Sequence, residues 1–330
     1  MIEKMTPRAL FADSSVLITG GTGSFGDAFL RRCLEMGARE VRVFSRDEKK
    51  QYDMMHRYQN SRLRFIIGDV RDYSSVERAA VGADFVFHAA AMKQVPSCEQ
   101  NPMEALRTNV IGSNNVIQAA IACGIPKVVC LSTDKACYPT SAMGYTKALM
   151  EKAALQAAAE QHKTIINLTR FGNIIASRGS VVPLFLNQMD QEHQITVTEP
   201  DMTRFIMTLD DAIDLVTCAF EVGNQGDLFV YKSKAATVGD IVAAVEQYRG
   251  KTAHIRYIGA RPGEKMDETL LLTEEAAYAR DCGRFFRVNR TGDTSGRHAP
   301  GEFSSKYAER YTVPELVELI QKVLDGGVHA

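Results

Sequence analysis

Directly after the apolar run Ser15-Val16-Leu17-Ile18 stands Thr19-Gly20-Gly21-Thr22-Gly23-Ser24-Phe25-Gly26, and an apolar helical pattern (Ala28, Phe29, Leu30, Cys33, Leu34) follows at once. No other segment constrains the fold as much. Gly20 permits a tight turn, Gly23 lets the backbone approach a pyrophosphate, and Gly26 allows a helix to pack closely. The helix N-terminus adds unpaired N–H groups and a positive dipole end. With a strand before it and a helix after it, the motif predicts the first βαβ unit of a dinucleotide-binding sheet, in which Thr22, Ser24 and Phe25 also line the phosphate turn.

The segments downstream repeat that grammar. Short β-branched runs at 41–44, 64–67, 85–87, 127–131 and 164–168 alternate with helical stretches such as 105–122 and 147–159. This alternation predicts an α/β fold with a Rossmann-type doubly wound parallel sheet of six strands. Past Phe171 the pattern breaks into shorter mixed elements, read as a smaller mixed α/β lobe. Residues 1–172 and 205–232 are assigned to the dinucleotide-binding domain, and 173–204 and 233–330 to the substrate-binding lobe.

Composition narrows the function classes. The chain has 330 residues, 45% hydrophobic and 24% charged, with a formal net charge of -1. A near-neutral balance supplies no field to hold a nucleic acid, so phosphate recognition must come from a few placed groups. The seven cysteines form no C-x-x-C pair, and the seven histidines show no metal-ligand spacing, so no metal site is expected. Odd cysteine usage and the lack of a long apolar run point to a cytoplasmic protein without a membrane partner.

The end of the second strand selects the dinucleotide. An acidic residue there would bind the ribose 2′-hydroxyl of NAD and repel a 2′-phosphate. The chain reads Ser45-Arg46-Asp47-Glu48-Lys49-Lys50. Ser45, the Arg46 fork and Lys49 favour NADP, while Asp47 and Glu48 keep NAD open. Asp69 and Val70 follow the third strand, where the adenine lies, and Ala89, Ala90 and Ala91 follow the fourth, where backbone must pass close to a cofactor.

After the fifth strand comes Ser132-Thr133-Asp134-Lys135, and Lys147 stands twelve residues beyond in Met143-Gly144-Tyr145-Thr146-Lys147. Open α/β sheets carry their chemistry at such carboxyl strand ends. Met143 occupies the first position of a Tyr-x-x-x-Lys frame, and a thioether is no useful proton acceptor. Tyr145 is two positions from Lys147, on another helix face.

On these segments, with His88 to Pro96, Arg170 to Pro183, Asp201 to Phe205 and Arg261 to Lys265, the chain resembles the extended short-chain dehydrogenase/reductases. Within them it is similar to the soluble UDP-N-acetylglucosamine 4,6-dehydratases of capsule and O-antigen synthesis. The resemblance runs from about Ser14 to Val288. The glycine motif is shared across the superfamily. Ser-Thr-Asp-Lys together with Asn-x-x-x-Ser-Arg-Gly-Ser is much narrower.

The resemblance implies oxidation of the hexose at C4, loss of water across C5 and C6, and hydride return to C6, on a tightly held and recycled NADP. It implies Lys135 as base at C5 and Asp134 as acid on the departing hydroxyl. Lys147 holds the nicotinamide ribose, and Thr133, relayed through Asp134 or water, handles the C4 proton. Lys135 would have to fall from a pKa of about 10.4 and Asp134 to rise from about 3.9. Burial pushes both that way and their mutual attraction opposes it.

Lys93, Ser132, Asn173, Arg178 and Ser180 are the implied sugar and diphosphate contacts, with Arg204 and Arg261 toward the diphosphate or the uridine ribose and Glu264 on the ribose hydroxyls. The resemblance also implies a homo-oligomer, dimer or hexamer, and favours inversion at C5. A retaining 4,6-dehydratase, a 5,6-dehydratase and a 4-epimerase are alternatives on the same scaffold, as is a non-catalytic NADP-binding regulator.

Overall fold

The computed structural model describes residues 10–176, 179–192, 194–289 and 298–325. Its centre is a nine-stranded sheet. The first six strands are β1 (Ser15–Thr19), β2 (Glu40–Ser45), β3 (Leu63–Ile67), β4 (Phe85–His88), β5 (Lys127–Leu131) and β6 (Ile165–Arg170). They pair in the parallel order β3-β2-β1-β4-β5-β6, the doubly wound sheet expected from the sequence.

Three further strands extend it. Leu228–Tyr231 adds in parallel beside β6, then Phe285–Val288 and Ala279–Asp281 add antiparallel at that edge. The last two come from a stretch that reads in sequence as part of the smaller lobe. Both are short and are joined through Gly283 at φ +83°, so neither shows a period long enough to announce a strand.

Alternation across the pleat explains the two cores. Val16 and Ile18 of β1 face Phe29, Leu30, Ile213 and Phe220, all fully or nearly fully buried on one side of the sheet. Leu17 faces the opposite side, against Ile117, Met150 and Ala154. Each such side chain contributes about 1.5–3 kcal/mol by leaving water.

The lobe has its own core of Phe185, Ile195, Ile241, Val245, Leu316 and Ile320. Its helix Val238–Arg249 begins at a capping box in which Thr237 and Asp240 each bond the other's backbone N–H, a device that satisfies two helix-end donors. The segment beyond Val288 contributes Phe303–Ser304, paired with Thr269–Leu271, and the helix Val313–Asp325. Among the described residues no helix is long and apolar enough to cross a membrane.

Candidate active site

Two features of the glycine turn define a cradle. Gly20 has φ +68°, and a Cβ there would come within 2.8 Å of Ala90 Cα. At Gly26 a Cβ would meet Gly21 Cα at 2.4 Å. Side chains are therefore excluded from both positions, by backbone that cannot yield. The helix α1 (Ser24–Glu35) starts at Gly23 without a side-chain cap, so its first turn presents N–H groups to whatever occupies the cradle. Beside it the Phe25 ring stacks on Phe171 at 4.7 Å.

At the end of β2, Ser45 is buried and its hydroxyl accepts from Gln51 Nε2 at 3.0 Å. Arg46 is exposed, with Nη1 3.6 Å from Asp69. Asp69 is bound more closely by Arg71 at 2.6 Å. Burial raises the Asp69 pKa, the Arg71 hydrogen bonds lower it further, and the net position is below the usual carboxylate range. Asp47 caps the following helix by accepting from Lys50 N at 2.9 Å. Lys49 turns along that helix to Asp53 at 2.6 Å, away from the strand end. Val70 is buried, and its carbonyl accepts from Asn115 at 3.0 Å.

A cavity of about 280 Å³ opens at the carboxyl ends of β4, β5 and β6. Lys93, Ser132, Thr133, Asp134, Lys135, Met143, Lys147, Asn173 and Ser180 all line it, as do Ala89, Ala91 and Phe25. Residues as far apart in sequence as Phe25 and Ser180 thus meet around one cavity. A smaller cavity of about 150 Å³ adjoins it, sharing Lys135 and Asn173 and lined by Arg204 and Glu264. Arg261 is about half exposed and pairs with Glu264 at 3.9 Å. Arg178 lies outside the described residues.

The turn after β5 is held by Ser132 N donating to Thr169 O at 2.7 Å and Asp134 N to Phe171 O at 3.2 Å. Thr133 Oγ1 donates to Asp134 Oδ1 at 2.8 Å, and Lys135 Nζ donates to the same oxygen at 3.0 Å. Asp134 is 1% exposed. Its Oδ2, Asn173 Oδ1 and Ser180 Oγ are buried without a hydrogen-bond partner among the described residues. Buried polar atoms are almost always paired, so three orphans around one cavity fit a polar ligand.

Lys135 is held in its charged form by its neighbours. Burial pushes its pKa down, but the carboxylates of Asp134 and Glu268 outweigh burial and hold it above the ordinary lysine value. Sequence reasoning missed Glu268, which is buried with Oε1 3.6 Å from Lys135 Nζ. Lys147 behaves oppositely. Buried, with its ammonium donating to Leu131 O at 2.6 Å, it is pushed down to about 8, chiefly by burial.

Met143 is buried in an apolar cluster with Cys98 and Ala105. Tyr145 is exposed and does not line the cavity. Behind the turn, Ser132 Oγ donates to Glu151, which pairs with buried Arg170, and Arg170 pairs with Glu275 at 2.7 Å. None of these three was legible as a site residue.

The glycine turn, the cavity at the carboxyl strand ends and the Asp-Lys pair lie together on a Rossmann-type doubly wound sheet. The polysaccharide biosynthesis protein family matches residues 16–290, and the chain belongs to it. A Rickettsia felis protein named UDP-glucose 4-epimerase is 52% identical over 289 residues, covering 86% of this chain and 85% of that protein. The X-ray structure of Pen from Bacillus thuringiensis superposes with a TM-score of 0.90 at 38% identity, covering 95% of this chain and 99% of that one. DesIV, a dTDP-glucose 4,6-dehydratase from Streptomyces venezuelae solved with NAD and TYD bound, shares the fold at a TM-score of 0.70 and 22% identity, over 76% and 86% of the two chains.

Proposed function

We propose that the chain is a UDP-N-acetylglucosamine 4,6-dehydratase that works with NADP and inverts C5. The observation that carries this reading is the Asp134–Lys135 pair in a cavity whose described lining contains no tyrosine. A C4-epimerase needs a phenol or its equivalent at C4 and has no use for an acid and a base at C5 and C6.

The glycine cradle suits a dinucleotide, since Gly20 and Gly26 admit no side chain. Its pyrophosphate would meet the first turn of α1, its adenine Asp69 and Val70, and its nicotinamide ribose Lys147. Asp47 is spent as a helix cap, which leaves Ser45 and Arg46 to meet a 2′-phosphate and favours NADP over NAD. A bound dinucleotide would supply the hydride acceptor for C4 and the hydride donor for C6.

The remaining chemistry belongs to side chains. A proton leaving the C4 hydroxyl passes to Thr133 Oγ1, which gives its own to Asp134 Oδ1 along the existing 2.8 Å hydrogen bond. Asp134 is then neutral, and one of the two attractions that keep Lys135 charged is gone. Lys135 sheds a proton to solvent more readily and takes the one on C5, acidified by the C4 ketone. Asp134 hands its proton to the C6 hydroxyl, which leaves as water. As hydride adds at C6, C5 takes a proton from solvent, matching the one Lys135 released to solvent at the start. The atoms balance: one hydride moves from C4 to C6 and one water is lost.

Lys93, Asn173, Arg178 and Ser180 would hold the hexose and diphosphate, Arg204 and Arg261 the diphosphate or uridine ribose, and Glu264 the ribose hydroxyls. The substrate lobe would be drawn from 173–204 and from the parts of 233–330 outside the two strands that join the central sheet. A homo-oligomer belongs to the same reading.

A second reading, 4-epimerase, is favoured by the name of the Rickettsia relatives. Mass spectrometry of the sugar nucleotide after incubation with UDP-N-acetylglucosamine separates the two. A product lighter by one water supports dehydration. An isomer of unchanged mass is an epimer and overturns it.

A further inference from the structure

Lys135 lies between two carboxylates of different origin. Asp134 comes from its own turn, 3.0 Å away. Glu268 comes from the lobe and is 2% exposed. Its backbone is clamped on both sides, N–H donating to Ser305 Oγ and carbonyl accepting from Ser305 N, each at 2.8 Å. Ser305 Oγ in turn bonds Thr203 Oγ1 at 2.6 Å. The Glu268 backbone is therefore anchored to Ser305, which is itself tied to Thr203, and its buried side chain starts from a fixed point.

Glu268 has a second partner. Oε2 is 2.7 Å from Lys265 Nζ, and that ammonium also donates to Cys137 O at 2.9 Å, two residues beyond Lys135. Asp134, Lys135, Glu268 and Lys265 form a chain of alternating sign, and Arg204 on the strand Thr203–Met207 is the other charge facing Lys135.

We propose that Glu268 is a positioning residue for Lys135: its carboxylate divides its pull between Lys135 and Lys265, and so governs how readily Lys135 gives up its proton. The relation to catalysis rests on the dehydratase reading. The charge relation itself does not. An opposite charge within a few ångströms changes a lysine's proton affinity by about tenfold or more. Removing the Glu268 charge must therefore free the amine, and removing Lys265 must hold it charged by leaving all of Glu268's attraction to Lys135. The two changes act with opposite sign, which a general loosening of the site would not produce.

The test uses the full chain and an amine-reactive probe, trinitrobenzenesulfonate, with the modification of Lys135 followed by peptide mass spectrometry across a pH series. In Glu268→Gln, Lys135 labelling at a fixed pH on the rising limb is expected to quicken about tenfold, and in Lys265→Met to slow. The acid limb of the pH–rate profile for water loss moves to lower pH in Glu268→Gln. Labelling that is unchanged in both folded variants, or that moves in the same direction in both, overturns the proposal. If Glu268→Gln does not fold, Lys265→Met decides alone, because unslowed labelling contradicts the shared charge. A wild-type protein that removes no water from UDP-N-acetylglucosamine sinks the dehydratase reading and leaves the labelling result to judge Glu268.

Discussion

Lys135 and Asp134 meet through one oxygen: Lys135 Nζ lies 3.0 Å from Asp134 Oδ1, the atom that also accepts from Thr133, while Asp134 Oδ2 is buried and unpaired. Two donors converge on one side of the carboxylate and the other side is left for a ligand. Protonating Asp134 would remove its attraction on Lys135, so in the proposed reaction the step that makes the acid also frees the base.

Asymmetric losses should follow from that linkage. Lys135→Met leaves the Thr133 to Asp134 path intact, so a single turnover should still reduce the dinucleotide, visible in its nicotinamide absorbance, with water loss down by about 10²–10⁴. Asp134→Asn should lose both signals. Normal water loss in either variant would remove the pair from the mechanism.

Dinucleotide choice should turn on Arg46. Its guanidinium is about half exposed and only 3.6 Å from Asp69, placed for a 2′-phosphate that NAD lacks. A charge-assisted hydrogen bond contributes about 1.5–3 kcal/mol, so Arg46→Ala should weaken NADP binding by about tenfold to a hundredfold and leave NAD binding as it was. Titration calorimetry with both dinucleotides reads this, and equal losses for the two would contradict it.

Much of this was legible because it is local. Gly20, Gly23 and Gly26 act through contacts with their own turn, and Asp134-Lys135 are neighbours in the chain. Glu268, by contrast, sits in Met266-Asp267-Glu268-Thr269, a run with no period or motif to mark one acid over another. Only folding brings it to Lys135. Arg170 is similar: one partner, Glu151, is on the helix of Lys147 and the other, Glu275, is 105 residues away. The sequence shows the Asp134 attraction that opposes burial at Lys135, but not the second carboxylate, Glu268, that adds to it.

Buried His88 should leave a signature in stability against pH. Its Nδ1 is 2.7 Å from Thr19 Oγ1 and its Nε2 2.8 Å from Ser113 Oγ. Ser113 gives its own proton to Asn109 O, so Nε2 donates and Nδ1 accepts, a neutral ring. Burial, then Lys147, pushes its pKa down to about 3, below the unfolded value of about 6.5. The unfolded chain therefore binds a proton that the folded chain refuses. The contribution is fully present above about 6.5 and is lost as pH falls toward 3, at about 1.4 kcal/mol per pH unit. Denaturant titrations of wild type and His88→Gln should differ in slope across that window, and parallel curves would contradict it.

Tyr145 should be dispensable for turnover. It is 59% exposed, whereas Met143 and Lys147 of the same helix face the cavity. Tyr145→Phe should keep the wild-type kcat and KM in a coupled assay. Loss of activity would show that the phenol reaches the C4 hydroxyl after all.

The most direct measurement is NMR of the sugar formed from UDP-N-acetylglucosamine in D2O. A base at C5 and an acid at C6 require a 6-deoxy-4-keto product carrying deuterium at C5. A galacto-configured product with protium retained at C5, or unchanged substrate, would contradict the central claim that Asp134 and Lys135 remove water.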